Sequence, residues 1–220
     1  MHARLARLVF GGTCFVCRGA ARKMLCERCD ADLPRLMQPL CPRCALESPG
    51  GAVCGRCLAQ PPRYDATVAA LAYAFPADAL VHALKFRNEL ALAPFLSSLL
   101  KERIGQADCI VPVPLSSQRL RERGYNQAVE IARHLGGKLE LDACARERDA
   151  PPQAGLDREA RRRNVRGAFR CKRAFAGEHV AVVDDVMTTG ATLDALAGAL
   201  KAAGAAKVTN WIVCRTSSDV

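Results

Sequence analysis

Beyond the Pro61-Pro62 break, apolar and polar positions switch repeatedly between a two-residue and a 3.6-residue period. Residues 64–75 predict a strand or hairpin, 77–101 a largely helical stretch, 109–113 a strand, 126–135 a helix and 180–183 a strand. Leu193, Leu196, Ala197 and Leu200 then fall on one helical face that ends near Gly204, and residues 207–214 read as a further strand. Strands alternating with helices predict an α/β domain over residues 61–220, built on a mainly parallel sheet flanked by helices.

Residues 1–60 follow a different pattern. They contain few large apolar side chains but eight cysteines in four pairs: Cys14 and Cys17, Cys26 and Cys29, Cys41 and Cys44, Cys54 and Cys57. Each Cys-x-x-Cys turn can place two thiolates on one side of a tetrahedral ion. Four pairs therefore make two sites, and structural zinc in each supplies folding energy that so short a segment cannot draw from burial. Sequential pairing closes the shorter loops, and interleaved pairing is the alternative. Iron–sulfur clusters and disulfides fit the two-residue knuckles and a reducing compartment less well. Cys109, Cys144, Cys171 and Cys214 lack such partners and read as core or loop residues. None of His2, His82, His134 and His179 has ligand or triad spacing.

The junction after the 180–183 run carries the most specific chemistry. Its apolar residues give way to Asp184-Asp185, then to Val186, Met187, Thr188, Thr189, Gly190, Ala191 and Thr192, where a helix begins. In open α/β sheets ligands bind beyond the carboxyl ends of the strands. Small hydroxyl residues around a glycine, followed by a helix start with unpaired N–H groups, suit a phosphate monoester. Two carboxylates just before that cradle suit the vicinal hydroxyls of a ribose whose 5′-phosphate fills the loop. A magnesium-bound pyrophosphate would then extend from C1′, the metal keeping much of its water. Neither a Rossmann fingerprint nor a Walker loop is present.

Composition adds an anionic partner. The formal net charge is +10, and residues 158–173 carry eight Arg or Lys against one Glu. Charge by itself does not choose between nucleic acid, phosphates and solubility. No apolar run is long enough to cross a bilayer and residues 5–10 are too short for a signal peptide, so no membrane insertion and a cytoplasmic location are expected.

These blocks together resemble the ComF family of competence-associated phosphoribosyltransferase-like proteins, over nearly the whole chain. The resemblance rests on the four cysteine pairs, on Val111-Pro-Val-Pro-Leu115 with Arg119, Arg123, Gly124, Tyr125, Asn126 and Gln127, on Gln153, Leu156, Arg163, Asn164 and 167–169, and on the Asp184-Asp185 loop. It implies a type I phosphoribosyltransferase fold behind a small N-terminal double zinc ribbon. Asp184 and Asp185 would hold the ribose, residues 186–192 the 5′-phosphate, and Pro114, Leu115, Ser116 and Ser117 the pyrophosphate through backbone amides. Residues 146–170 would form a flap over the site, with Arg146, Arg148, Gln153, Arg163 and Asn164 as contacts. Ala150 stands where some relatives have Thr.

Two functions are expected from different classes, beside a purely regulatory reading in which the protein binds phosphoribosyl diphosphate without catalysis. One is an enzyme that transfers phosphoribosyl from 5-phosphoribosyl 1-diphosphate to a nitrogen acceptor the sequence does not name. The other is a competence factor that binds single-stranded DNA, with competence-machinery proteins as partners and a non-catalytic phosphoribosyl site. Aromatics are 5% of residues, and no stacking platform is evident along the chain.

Overall fold

The computed structural model describes residues 12–37, 39–147 and 167–217. The larger unit is a parallel sheet of β3 (Ala66–Ala72), β4 (Cys109–Pro112), β7 (His179–Met187) and β8 (Lys207–Arg215), in the order β3-β8-β7-β4. Its strands are linked through helices α3 (Ala77–Phe86), α4 (Leu92–Lys101), α5 (Ser117–Arg123), α6 (Gln127–Ala132) and α7 (Ala191–Ala202). Parallel strands need such crossovers, and a sheet covered on both faces explains why 180–183 and 208–214 read as apolar runs.

Strand alternation distributes β7 between two cores. Ala181 and Val183 pack with Leu80, Leu84, Leu96 and Ile131, while Val180 and Val182 pack with Leu193, Leu196 and Leu200. Each fully buried leucine contributes about 1.5–3 kcal/mol. Beside β4, Ile110 donates to Lys138 O and accepts from Glu140 N, so residues 138–140 continue the sheet by one bridge.

Several elements differ from the sequence reading. Residues 64–75 give one strand rather than a hairpin, and 77–101 divide into α3 and α4 around Asn88, whose φ is 56°. The helix expected over 126–135 is the shorter α6, with Asn126 as its N-cap accepting from Ala128 N at 2.9 Å. The run expected over 180–183 continues to Met187, because it pairs with β8 as far as Arg215.

Residues 12–60 form small elements around the cysteines: β1 (Gly12–Thr13), β2 (Ala20–Ala21), α1 (Glu27–Ala31) and α2 (Gly55–Ala59). They are tied to the sheet by backbone bonds. Leu36 N donates to Ala70 O, Ala72 N to Pro34 O and Thr67 N to Pro42 O, which places Arg35 beside Leu71 on the outer edge of β3.

A two-stranded hairpin of β5 (Cys144–Arg146) and β6 (Phe169–Cys171) corrects one expectation. Cys144 and Cys171 are not isolated: they face each other across the ladder as a disulfide, with Cα atoms 4.0 Å apart. The pairing arises from a contact between residues 27 apart in sequence, which no local spacing reveals.

Candidate functional site

The loop after β7 is built by its own residues. Gly190 has φ 81°, and a Cβ there would lie 2.7 Å from Met187 Cε and 3.0 Å from the Tyr64 hydroxyl. Only glycine suits both the backbone and the space. Thr189 Oγ1 accepts from Ala191 N at 3.3 Å, which tightens the entry into α7. Among the described residues, the amides of Thr188, Thr189 and Gly190 donate to no backbone carbonyl. Free amides at the start of a 12-residue helix form an anion-binding concavity.

Asp184 and Asp185 lie inside β7, not beyond it. They are successive residues of that strand, and their carboxyl groups nevertheless interact with each other directly. Asp185 is buried, with Lys85 Nζ 2.6 Å from Oδ2 and Gln127 Nε2 3.5 Å from Oδ1. Burial opposes ionisation of Asp185, but the Lys85 charge and hydrogen bond outweigh it and hold the carboxyl below its ordinary value. Half-buried Asp184 accepts from Asp185 N at 2.9 Å, and burial plus the neighbouring Asp185 charge push its carboxyl well above the usual range. The pair thus combines a firmly ionised acid with one that holds its proton more readily.

β4 delivers the second side of the site. Val113 N donates to Val183 O at 2.9 Å, so Pro114, Leu115 and Ser116 leave the sheet next to the end of β7. Ser116 Oγ caps α5 by accepting from Arg119 N, and Asn126 Nδ2 donates to Val113 O at 2.9 Å, fixing the turn after that helix. Lys85, Phe86, Arg119, Glu122, Arg123 and Tyr125 line an open groove of about 590 Å³ there. Arg123 donates to Gln127 Oε1 and stacks over Phe86, with its guanidinium 5.2 Å from the ring centroid. The structure therefore gathers Asp185, Gln127, Arg119 and Arg123 around Lys85. Arg146 sits on β5 over Phe169, whereas Arg148, Gln153, Arg163 and Asn164 lie outside the described residues.

Sequence reasoning missed three residues. Lys85 falls on the face of α3 defined by Ala77 and Val81, and this spacing was the available signal. Tyr64 roofs the Gly190 turn, and Arg215 donates to Met187 O and Thr188 O at its base. Both act through register and packing, which the sequence alone leaves open.

The cysteines assemble sequentially, Cys14, Cys17, Cys26 and Cys29 in one cluster and Cys41, Cys44, Cys54 and Cys57 in the other. All four sulfurs of each lie within 4.8 Å of one another, with Cys17 to Cys26 at 3.8 Å and Cys44 to Cys54 at 3.7 Å. A tetrahedral zinc with bonds of about 2.3 Å separates its sulfurs by about 3.8 Å, so both clusters fit the ion. Burial would raise the Cys14 thiol, but amides of Cys17, Cys26 and Val16 outweigh this and bring it to about 6. Cys41 falls to about 7 in the same way, with Cys54 N donating to its sulfur.

Residues 5–58 match the double zinc ribbon domain and residues 120–219 the phosphoribosyl transferase domain. The chain is 35% identical over 226 residues to the DNA utilization protein YhgH of Escherichia coli K12, covering 95% of this chain and 99% of that protein. It is 32% identical to competence protein F of Haemophilus influenzae, covering 94% and 98%, and 26% identical to competence protein ComFC of Bacillus subtilis, covering 87% and 84%. Among solved structures, the allosteric regulatory enzyme of purine biosynthesis aligns with 55% of this chain and 25% of its own, at 24% identity and a TM-score of 0.38.

Proposed function

The chain belongs to the ComF family, that of competence protein F and the DNA utilization protein YhgH, and on that premise we propose that it binds 5-phosphoribosyl 1-diphosphate and transfers its phosphoribosyl group to a nitrogen acceptor. The observation that carries this reading is the loop at the end of β7. Three unpaired amides and an αL glycine at a helix start stand directly beyond two carboxylates of opposite protonation tendency.

The 5′-phosphate fits the amides of Thr188, Thr189 and Gly190 and the hydroxyls of Thr188, Thr189 and Thr192. Ribose hydroxyls fall to Asp184 and Asp185, and Lys85 keeps Asp185 ionised so that it accepts. The pyrophosphate extends toward the amides of Pro114's successors, Leu115 and Ser116, and toward the groove of Lys85, Arg119 and Arg123. Magnesium, bound with the diphosphate, would supply charge neutralisation of the leaving group. The bond from C1′ to the pyrophosphate oxygen breaks and a bond from C1′ to nitrogen forms, while arginine and lysine absorb the charge that leaves. Residues 1–60 serve as the zinc-bearing unit and 61–220 as the transferase unit.

Calorimetry with magnesium and phosphoribosyl diphosphate tests the binding, and pyrophosphate release tests the transfer. Saturable heat in the wild type, with release abolished in Asp185→Asn, is expected. A flat isotherm would remove the reading.

A different observation favours single-stranded DNA as a further ligand. Aromatics scarce in the sequence are exposed together: Tyr73, Phe75 and Phe86 are 40%, 70% and 64% accessible, with Arg18 and Arg87 lining the groove that holds Tyr73 and Phe75. Bases stack on such rings while cations track the backbone. Oligonucleotide anisotropy should then fall steeply with salt and drop in Phe75→Ala with Phe86→Ala, and unchanged affinity in that variant would remove this reading.

A further inference from the structure

Arg215, the last residue of β8, is 2% exposed, and its side chain joins two places far apart in sequence. Its Nε donates to Cys44 O at 2.8 Å, inside the second cysteine cluster. Its Nη1 donates to Met187 O at 2.9 Å and Thr188 O at 2.5 Å, at the mouth of the phosphate loop, and to Thr216 O at 2.8 Å. We infer that Arg215 is a positioning residue through which the metal-loaded second cluster sets the anion-binding geometry of the loop.

Covalent geometry supplies the first link. Across a trans peptide the C=O and the following N–H point in opposite directions. Fastening Met187 O and Thr188 O to a buried guanidinium therefore turns the N–H groups of Thr188 and Thr189 the other way, outward from the core. The guanidinium is a rigid planar fork, so wherever the Cys44 carbonyl holds Nε, the aim of Nη1 follows.

Electrostatics supplies the second. Four thiolates around a divalent ion carry a formal charge of about −2, which favours a buried guanidinium close by. Packing reinforces the same path, because Cys41, Cys44 and Cys57 share a buried cluster with Tyr64, Met187 and Ala191, and Tyr64 is the ring that roofs Gly190. No hydrogen bond links the first cluster to residues 186–192 among the described residues. Cys14 and Cys29 pack instead with α3 and α4.

The loop's ligand is the phosphoribosyl diphosphate of the function proposed above, and the coupling to that ligand rests on that reading. The coupling within the protein does not, so the test has an arm for each. In the first arm, amide hydrogen exchange of residues 186–193 is followed in the full chain while zinc content is measured. Loss of the second zinc in Cys54→Ser with Cys57→Ser should speed exchange at Ala191, whose amide donates to Thr189 Oγ1 within the loop, roughly tenfold, the scale of one charge-assisted hydrogen bond. Loss of the first zinc in Cys14→Ser with Cys17→Ser should leave it unchanged. Arg215→Met should speed exchange equally with both zincs retained, and Arg215→Lys should restore part of the protection.

Should any of these variants fail to fold, stepwise chelation of the wild-type chain gives the same readout. Loop exchange that ignores the second zinc, or responds equally to the first, overturns the inference. In the second arm, linkage is reciprocal, so magnesium with phosphoribosyl diphosphate should slow release of one zinc of the two to a chelator. Heat of binding without slowed release also overturns the inference. Absence of any heat removes the ligand reading and leaves the exchange arm to decide the coupling.

Discussion

Cys14, Cys17, Cys26 and Cys29 sit on the face of the molecule formed by α3 and α4, next to Leu25 and Leu33, whereas Cys41, Cys44, Cys54 and Cys57 sit against Tyr64, Met187 and Ala191. Spacing within the two sets is alike, so their sequences suggest duplicate roles. Surroundings separate them. One set anchors a small unit onto a helical layer, and the other stands behind the loop that cradles an anion. Equal ligand chemistry thus supports unequal work, and the difference comes from which core each set joins.

The largest expected effect treats both sets alike. A structural zinc site contributes about 10–16 kcal/mol in small domains, so chelation at neutral pH should unfold residues 14–58 in far-UV dichroism as zinc is released. Retention of the folded signal with no metal bound would show that burial alone suffices.

Next in size, Lys85→Met strikes the layer beneath the first set. Removing one partner of a buried ion pair costs about 3–5 kcal/mol, read from urea unfolding at pH 7.5. The pH dependence has a definite sign. Because the folded-state value of Asp185 is lowered, its contribution is present above the ordinary carboxylate range and is lost as pH falls through the folded value. Without Lys85 that acid limb should move to higher pH. Asp184 acts oppositely, since its value is raised, and stability declines as pH rises from the ordinary value through the raised one.

Gly190→Ala probes the side of the second set. A non-glycine residue at φ 81° with so close a neighbour costs about 1–3 kcal/mol, and it should weaken phosphoribosyl diphosphate binding in calorimetry while both zincs stay bound. Smallest of all, Arg35→Ala breaks an exposed pair with Asp30 at 3.0 Å and should change urea stability by about 0–1 kcal/mol. A large loss there would mean that the first unit leans on its surface more than on its metal.

Much of this was legible because the signals were local. The knuckle spacing required only that two thiolates share a turn, and the Asp184 to Thr192 run required only a strand followed by a helix. What escaped the sequence depends on partners brought from afar. Asp185 meets Lys85 across 100 positions, and the Cys144–Cys171 pair, Arg215 and the Tyr64 roof all follow from strand register. The acids were read as lying at the carboxyl end of a strand because the apolar run stops at Val183, and pairing with β8 carries the strand through them to Met187.

The bonds from residues 34 and 36 to β3 carry a consequence for solubility. A parallel sheet left with a raw outer strand invites another chain to add itself there. The segment leading from one knuckle set to the next already occupies that seam, so the ribbons double as a guard against strand addition. Light scattering during chelation should therefore rise before the sheet itself melts.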